Sequence, residues 1–221
     1  MNNKNCEIMK LKMLYAFMVL ILYAGQVWGQ TNDLTQEDMD QLLKQTKLKV
    51  DQFNNYISFI AKKEKYASLQ QQQETEKNKD EYIKEALKLF IGGGDAFVDE
   101  YGNQQPARIM QVSCLLRNGK VRVKNRKIRL YLNNLKSLNY SDVQVTAGDA
   151  FFTSEARQIG ENKYMTTLSY RQFFIGKSDG RVVYDDKTDK TITVYIERQV
   201  IDGRSRWAIL LGDIKVDATE R

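Results

Sequence analysis

No histidine occurs in this chain. The commonest general base, the Ser-His and Cys-His nucleophile pairs and most zinc or copper sites are therefore missing. Any acid–base or covalent chemistry falls to Asp, Glu, Tyr, Lys or Arg, which tilts the balance toward a non-catalytic module without excluding an enzyme. No cofactor or metal motif stands out. Gly92-Gly93-Gly94 follows a helical stretch, whereas a phosphate loop needs a strand before it and a helix after it. Asp185-Asp186 with Asp189 lacks the spacing and the closing Glu of a calcium loop. Both read as turn chemistry.

Two side-chain constellations follow from one hairpin. Asp202-Gly203 is a two-residue turn signal. Pairing outward from it sets Arg198 opposite Trp207, Ile196 opposite Ile209, Val194 opposite Leu211 and Ile192 opposite Asp213. Asp213 then ends an otherwise apolar face beside Gly212, where a bulge or close approach is expected. A buried carboxylate there has a raised pKa and is a candidate general base; hydrogen-bonded at the sheet rim, it is structural. Arg198 and Trp207 form the other end as a cation–π pair at a pocket rim, either binding an anion or capping the core edge.

Charge supplies the best functional lead. Between Tyr101 and Ser141 there is no acidic residue, yet Arg108, Arg117, Lys120, Arg122, Lys124, Arg126, Lys127, Arg129 and Lys136 are basic. The whole chain nets only +6, so this local asymmetry matters more than the total. Lys120, Arg122 and Lys124 share one face of a strand, and Arg126, Lys127 and Arg129 follow at once. These six are the candidate partner-binding residues. Their summed field attracts anions, in an envelope compartment an acidic glycan, a lipid headgroup or an acidic protein. Nucleic acid is disfavoured, since no aromatic-interleaved recognition motif accompanies the patch. The bland alternative is a solvated face balanced by acidic helix residues.

The elements that must position these groups can be read from periodicity. Thr35 is a fitting N-cap for a helix whose apolar residues recur at Met39, Leu42, Leu43, Val50, Phe53, Ile57 and Ile60. Residues 70–79 are polar and low in complexity, a solvated linker or an exposed helix end. A second helix buries Tyr82, Ile83, Ala86, Leu87 and Phe90, and the three glycines end it. Ala107 to Leu116 reads as a strand, with Cys114 as a buried structural thiol in its apolar run. Asn118-Gly119 turns the chain into Lys120 to Lys124, and a short helix follows over 127–138. From Asp142 the pattern is β throughout: one strand from Asp142, another through Phe151, a turn at Gly160-Glu161-Asn162, then strands from Tyr164, Thr191 and Arg204. Residues 175–190 fit an extra hairpin. The apolar face of the last hairpin needs a cover, which the first helix can provide, while Thr193, Tyr195, Glu197, Ala208 and Leu210 on the other face suit solvent or a second subunit.

Lys10 and Lys12 precede the apolar run Met13 to Gly29, the layout of a secretory signal. Val27 and Gly29 place cleavage after Gly29, giving 1–29 as signal peptide and 30–221 as one domain, with a helical part over 30–91 and a sheet part over 105–221. Cleavage removes Cys6 and leaves Cys114 alone, so no disulfide forms within the chain. No cysteine follows the run directly, which argues against a lipoprotein. The expected product is exported, periplasmic or extracellular, and soluble; only a retained leader makes it a membrane-anchored part.

The order of two amphipathic helices, a strand pair, a short helix and a long meander resembles the nuclear transport factor 2-like (cystatin-like) cone fold. The segments FNNYISFIA, YIKEALKLFIG, IRLYLNNLKSL, YIERQ and WAILLGDIKVDAT also resemble a family of small exported proteins of gut Gram-negative anaerobes with no established activity. The resemblance implies an α+β cone, helices on a strongly curved antiparallel sheet, and it transfers no functional residues. It leaves three readings: a non-catalytic binding or assembly module, able to dimerise through the sheet; an isomerase- or hydratase-type enzyme with a carboxylate in the cone; and an anchored secretion-system component.

Overall fold

The computed structural model describes residues 34–63, 68–116 and 120–220. The leader, its cleavage point and the Asn118-Gly119 turn lie outside the described residues. Helix α1, Gln36–Ala61, starts directly after Thr35 and carries Glu37 and Asp38 in its first turn, where the helix dipole favours them. Its apolar stripe is the core: Leu42, Val50, Phe53, Ile57 and Ile60 are at most 1% exposed. Each such side chain contributes about 1.5–3 kcal/mol by leaving water.

The polar stretch 70–79 is helix, not linker. Helix α2, Leu69–Lys88, opens with a capping box in which Ser68 Oγ accepts from the Gln71 amide at 3.3 Å and Gln71 Oε1 accepts from the Ser68 amide at 3.1 Å. Ile83, Ala86 and Leu87 turn inward. Phe90 meets Phe53 edge-on, with ring centroids 5.0 Å apart. Gly92, Gly93 and Gly94 then stop the helix at φ values of 64°, 62° and 75°, a region costly for any residue with a Cβ.

Strands follow as β1 (Phe97–Val98), β2 (Gln104–Gln105), β3 (Ile109–Leu115) and β4 (Val121–Lys127). Helix α3 is Ile128–Leu135, shorter than the 127–138 expected, and it buries Ile128, Leu132 and Leu135. Then come β5 (Asp142–Phe152), β6 (Arg157–Gly160), β7 (Lys163–Ser178), β8 (Arg181–Ile201) and β9 (Arg204–Glu220). The main sheet runs β4-β3-β9-β8-β7-β5, with β6 beside β7, and β1 pairs β2 separately. All its pairings are antiparallel except β3 with β9, which meet in parallel at Met110 and Ile214. The described residues from Gln36 onward belong to one α+β unit with three α-helices and a mostly antiparallel sheet.

Two strand readings change. Residues 142–152 form one strand with a bulge between Ala147 and Ala150, not two strands. Residues 175–190 are not an added hairpin but the turn end of β7 and β8, which reverse at Asp179-Gly180 with positive φ at both residues. That dipeptide is the same turn signal as Asp202-Gly203, whose φ values are likewise positive.

In the β8–β9 hairpin Arg198 faces Trp207, Ile196 faces Ile209 and Val194 faces Leu211, as the turn register requires. The next expected pair fails. A bulge between Ile192 and Val194 sets Ile192 opposite Ile214, so Asp213 leaves the apolar face. Gly212 marks the spot: a Cβ there would lie 2.8 Å from a Tyr195 ring carbon and 3.0 Å from Thr193 Cβ. No helix among the described residues is long and apolar enough to cross a membrane.

Candidate functional site: a cationic cavity beside the third helix

The inner face of β8 changes character along its length. Ile192, Val194 and Ile196 are buried under the helices, and the same alternation continues outward through Lys190, Thr188, Asp186 and Tyr184. These polar residues cannot join an apolar core. With Gln172 and Phe174 of β7, Met110 and Val112 of β3, and Tyr131 and Leu135 of α3, they line a cavity of about 450 Å³. That size suits a small organic molecule.

One wall is basic. In the β3–β4 ladder Met110 pairs with Arg126, Val112 with Lys124 and Cys114 with Arg122, so their side chains share the cavity face. Arg122 and Lys124 are exposed, Arg126 is half-buried and Lys190 is buried. Four cations therefore line the cavity against one carboxylate, Asp186.

A chain of buried polar groups holds Lys190. Its Nζ donates to Gln172 Oε1 at 2.6 Å, and Gln172 Nε2 donates to Asn54 Oδ1 on α1 at 2.6 Å. Burial pushes the Lys190 ammonium down to about 8, opposed by the charge of Asp186. Burial also raises the Asp186 carboxyl, against the hydrogen bonds from Tyr184 and Thr188 and the charge of Lys190 that favour its ionised form. Tyr184 donates to Asp186 Oδ2 at 2.5 Å, and its own phenol is raised by burial first and by this bond second. Burial raises the phenols of Tyr131 and Tyr170 as well.

The six basic residues named from sequence do not act together. Arg122, Lys124 and Arg126 face the cavity. Lys120 precedes β4 and is exposed. Arg129 is drawn away by Asp95, which accepts from Nε at 3.0 and 3.1 Å and from Nη2 at 2.5 Å. This bond, with help from the charge of Lys127, holds the Asp95 carboxyl below its usual range. Arg108, from the same basic window, is buried: it donates to Pro106 O at 2.6 Å and lies 5.9 Å from the Phe97 ring centroid. Its other contact, to Tyr195 Oη at 3.4 Å, partly covers the outer face of β8.

Asp213 is not in the cavity. Its Oδ1 accepts from the Ile109 amide at 2.7 Å, tying β9 to the start of β3. The bulge at Gly212 is the physical reason, because it rotates Asp213 out of the inward alternation and hands its place to Ile214. Arg198 does lie over Trp207, 5.9 Å from the ring centroid, and donates to Ser205 Oγ at 3.2 Å. They border a separate hollow with Asp38, Gln41 and Gln45 of α1. Eight residue steps along β8, roughly 26 Å, separate Arg198 from Lys190.

Two further expectations are overturned. Cys114 is exposed and lines the cavity, since its strand face opens onto the cavity and not onto the core. Asp185, Asp186 and Asp189 stand on a strand rather than in a turn: Asp186 points into the cavity while Asp189 accepts a bidentate bond from Arg171 at 2.6 and 2.9 Å. The sequence reading missed Lys190, Asp186, Tyr184, Gln172 and Tyr131. The signal for the β8 residues was present, because extending the Ile192-Val194-Ile196 alternation toward Arg181 names all of them. Comparison of the chain with protein-family models finds no match, and comparisons with curated proteins and with solved structures likewise find none, so the cavity's own chemistry is what points to a function.

Proposed function

We propose that this protein is a binding module of the nuclear transport factor 2-like cone type, whose cavity takes up a small molecule with an anionic group and an apolar body. One observation carries the reading. Arg122, Lys124, Arg126 and buried Lys190 line a space that also has apolar wall from Met110, Val112, Leu135, Leu138 and Phe174, with Asp186 as its single carboxylate. Carboxylates and phosphates are the groups that arginine forks match best, and the apolar wall adds affinity for the remainder of the ligand. The cone assignment is supported by helices covering one sheet face and by strand bulges, which bend a sheet. Placement outside the cytoplasm, after removal of 1–29, remains part of this proposal.

The test is calorimetric titration with 3-phenylpropanoate and with its uncharged amide. Charge-assisted hydrogen bonds are worth about 1.5–3 kcal/mol, so the amide should bind on the order of tenfold to a hundredfold more weakly. Arg122→Glu with Lys124→Glu should weaken the acid by at least as much while leaving the melting temperature nearly unchanged, since both residues are exposed. Equal affinity for acid and amide removes the anion from the account.

The isomerase-type reading moves from Asp213 to Asp186. Asp186 is the carboxylate inside the cavity and it holds a tyrosine hydroxyl, an arrangement that can shuttle a proton. Loss of proton exchange at the carbon beside a bound ligand's carbonyl in Asp186→Asn is the result that reading requires.

A further inference from the structure

The geometry points to Lys190 as a nucleophile that captures the carbonyl carbon of a small oxo acid as an imine, with Arg122, Lys124 and Arg126 holding the acid's carboxylate. The inference rests on the cavity being an anion site and adds the ligand's second functional group.

Lys79 and Lys190 are both buried among the described residues, but only Lys190 lines this cavity. Its place at the centre of β8, between β7 and β9, fixes the side-chain root on rigid backbone. Its ammonium bonds to a neutral amide oxygen, Gln172 Oε1, and among the described residues no carboxylate lies within ion-pair distance. A structural buried lysine normally has a paired carboxylate, because burying an unpaired ammonium is costly. A lysine held by an amide in an open cavity instead has a lone pair to offer once it loses its proton. With its titration pushed down to about 8, roughly a tenth of the molecules carry the free amine at pH 7.

The chemistry closes without an oxidant or reductant. The amine nitrogen forms a bond to the carbonyl carbon, the C=O π electrons move to oxygen, and the nitrogen gives up a proton while the oxygen gains one. The nitrogen lone pair of this carbinolamine then forms C=N as the C–O bond breaks, and the hydroxyl leaves with a proton as water. Asp186, bonded to Tyr184 and on the same strand face as Lys190, is the group placed to pass these protons. The charged and titratable groups facing Lys190 are Asp186 and Tyr184 of its own strand, Cys114 of β3, Tyr131 of α3, Tyr140 ahead of β5 and the three basic residues of β4. Burial favours the neutral amine, and the three basic residues line the same cavity where they can anchor the carboxylate.

The experiment incubates the whole protein with phenylpyruvate, or with 4-oxo-4-phenylbutanoate, and sodium cyanoborohydride near neutral pH, then maps the reduced adduct by peptide mass spectrometry. The inference requires Lys190 to be labelled faster than exposed lysines by on the order of tenfold or more, because its amine fraction is the larger. 3-Phenylpropanoate should protect Lys190, and Lys190→Arg should lose the adduct. The wild-type map decides even if that variant does not fold. Binding of 3-phenylpropanoate with Lys190 unlabelled by either oxo acid overturns the imine and leaves the anion site standing. Absence of binding by any of the three acids overturns both.

Discussion

Replacing Lys190 by methionine should change how stability responds to pH more than it changes stability at any one pH. A lysine in the unfolded chain titrates near 10.4, whereas burial in this cavity lowers Lys190 to about 8. Between those values the unfolded state binds more protons than the native state, so stability rises with pH. Below about 8 both states are charged and the full penalty of the buried ammonium is present; it is relieved as pH climbs through the interval. Integrating the linkage relation from pH 7 to pH 10 gives a gain of about 2–3 kcal/mol for the wild type relative to the methionine variant. The difference between the two proteins is the informative quantity. Methionine leaves Gln172 Oε1 without its donor, but that cost is the same at every pH. Tyr131, Tyr170 and Tyr184, whose phenols are raised by burial, titrate alike in both proteins and cancel. Urea unfolding followed by circular dichroism, in closely spaced steps from neutral to alkaline pH, measures this directly. Parallel stability curves would show that the ammonium is solvated in the native state, and the account of the cavity's electrostatics would be wrong.

Three more expectations separate the cavity from the scaffold. Gly212→Val should destabilise by about 1–3 kcal/mol in chemical denaturation, since its side chain would overlap Tyr195 and Thr193 at the bulge. Asp213→Ala should cost about 1–3 kcal/mol by leaving the Ile109 amide unpaired, and calorimetric binding of 3-phenylpropanoate should not change; an affinity loss would return Asp213 to the site. Arg129→Ala should leave that affinity unchanged too and cost at most about 1 kcal/mol, because it removes a half-exposed pair with Asp95 outside the cavity.

Legibility in the sequence followed the range of the interactions. The α1 stripe from Leu42 to Ile60 and the turn at Asp202-Gly203 are local patterns, so helix, hairpin and the pairings from Arg198:Trp207 to Val194:Leu211 were readable. Ser68 with Gln71 and Asp179-Gly180 were equally local, and a closer reading recovers the start of α2 and the β7–β8 turn from them. The bulge at Gly212 was foreseeable only as a preference. Its effect on Asp213 depends on Tyr195 and Thr193 packing against that glycine across the hairpin.

Local patterns along the chain suffice for an α+β class, a helical core stripe, the register nearest the last turn and a strand with alternating basic residues. Which of those basic residues work together was a tertiary matter. Asp95, thirty-four residues before Arg129, takes that arginine out of the group, and Lys190 joins it from a strand far along the chain. Side-chain alternation says that residues share a face; only the packing of α3 and the β3–β4 arm against β7 and β8 decides that this face closes on a cavity instead of on core. Burial there does the rest, since the same lysine in water would stay charged and inert.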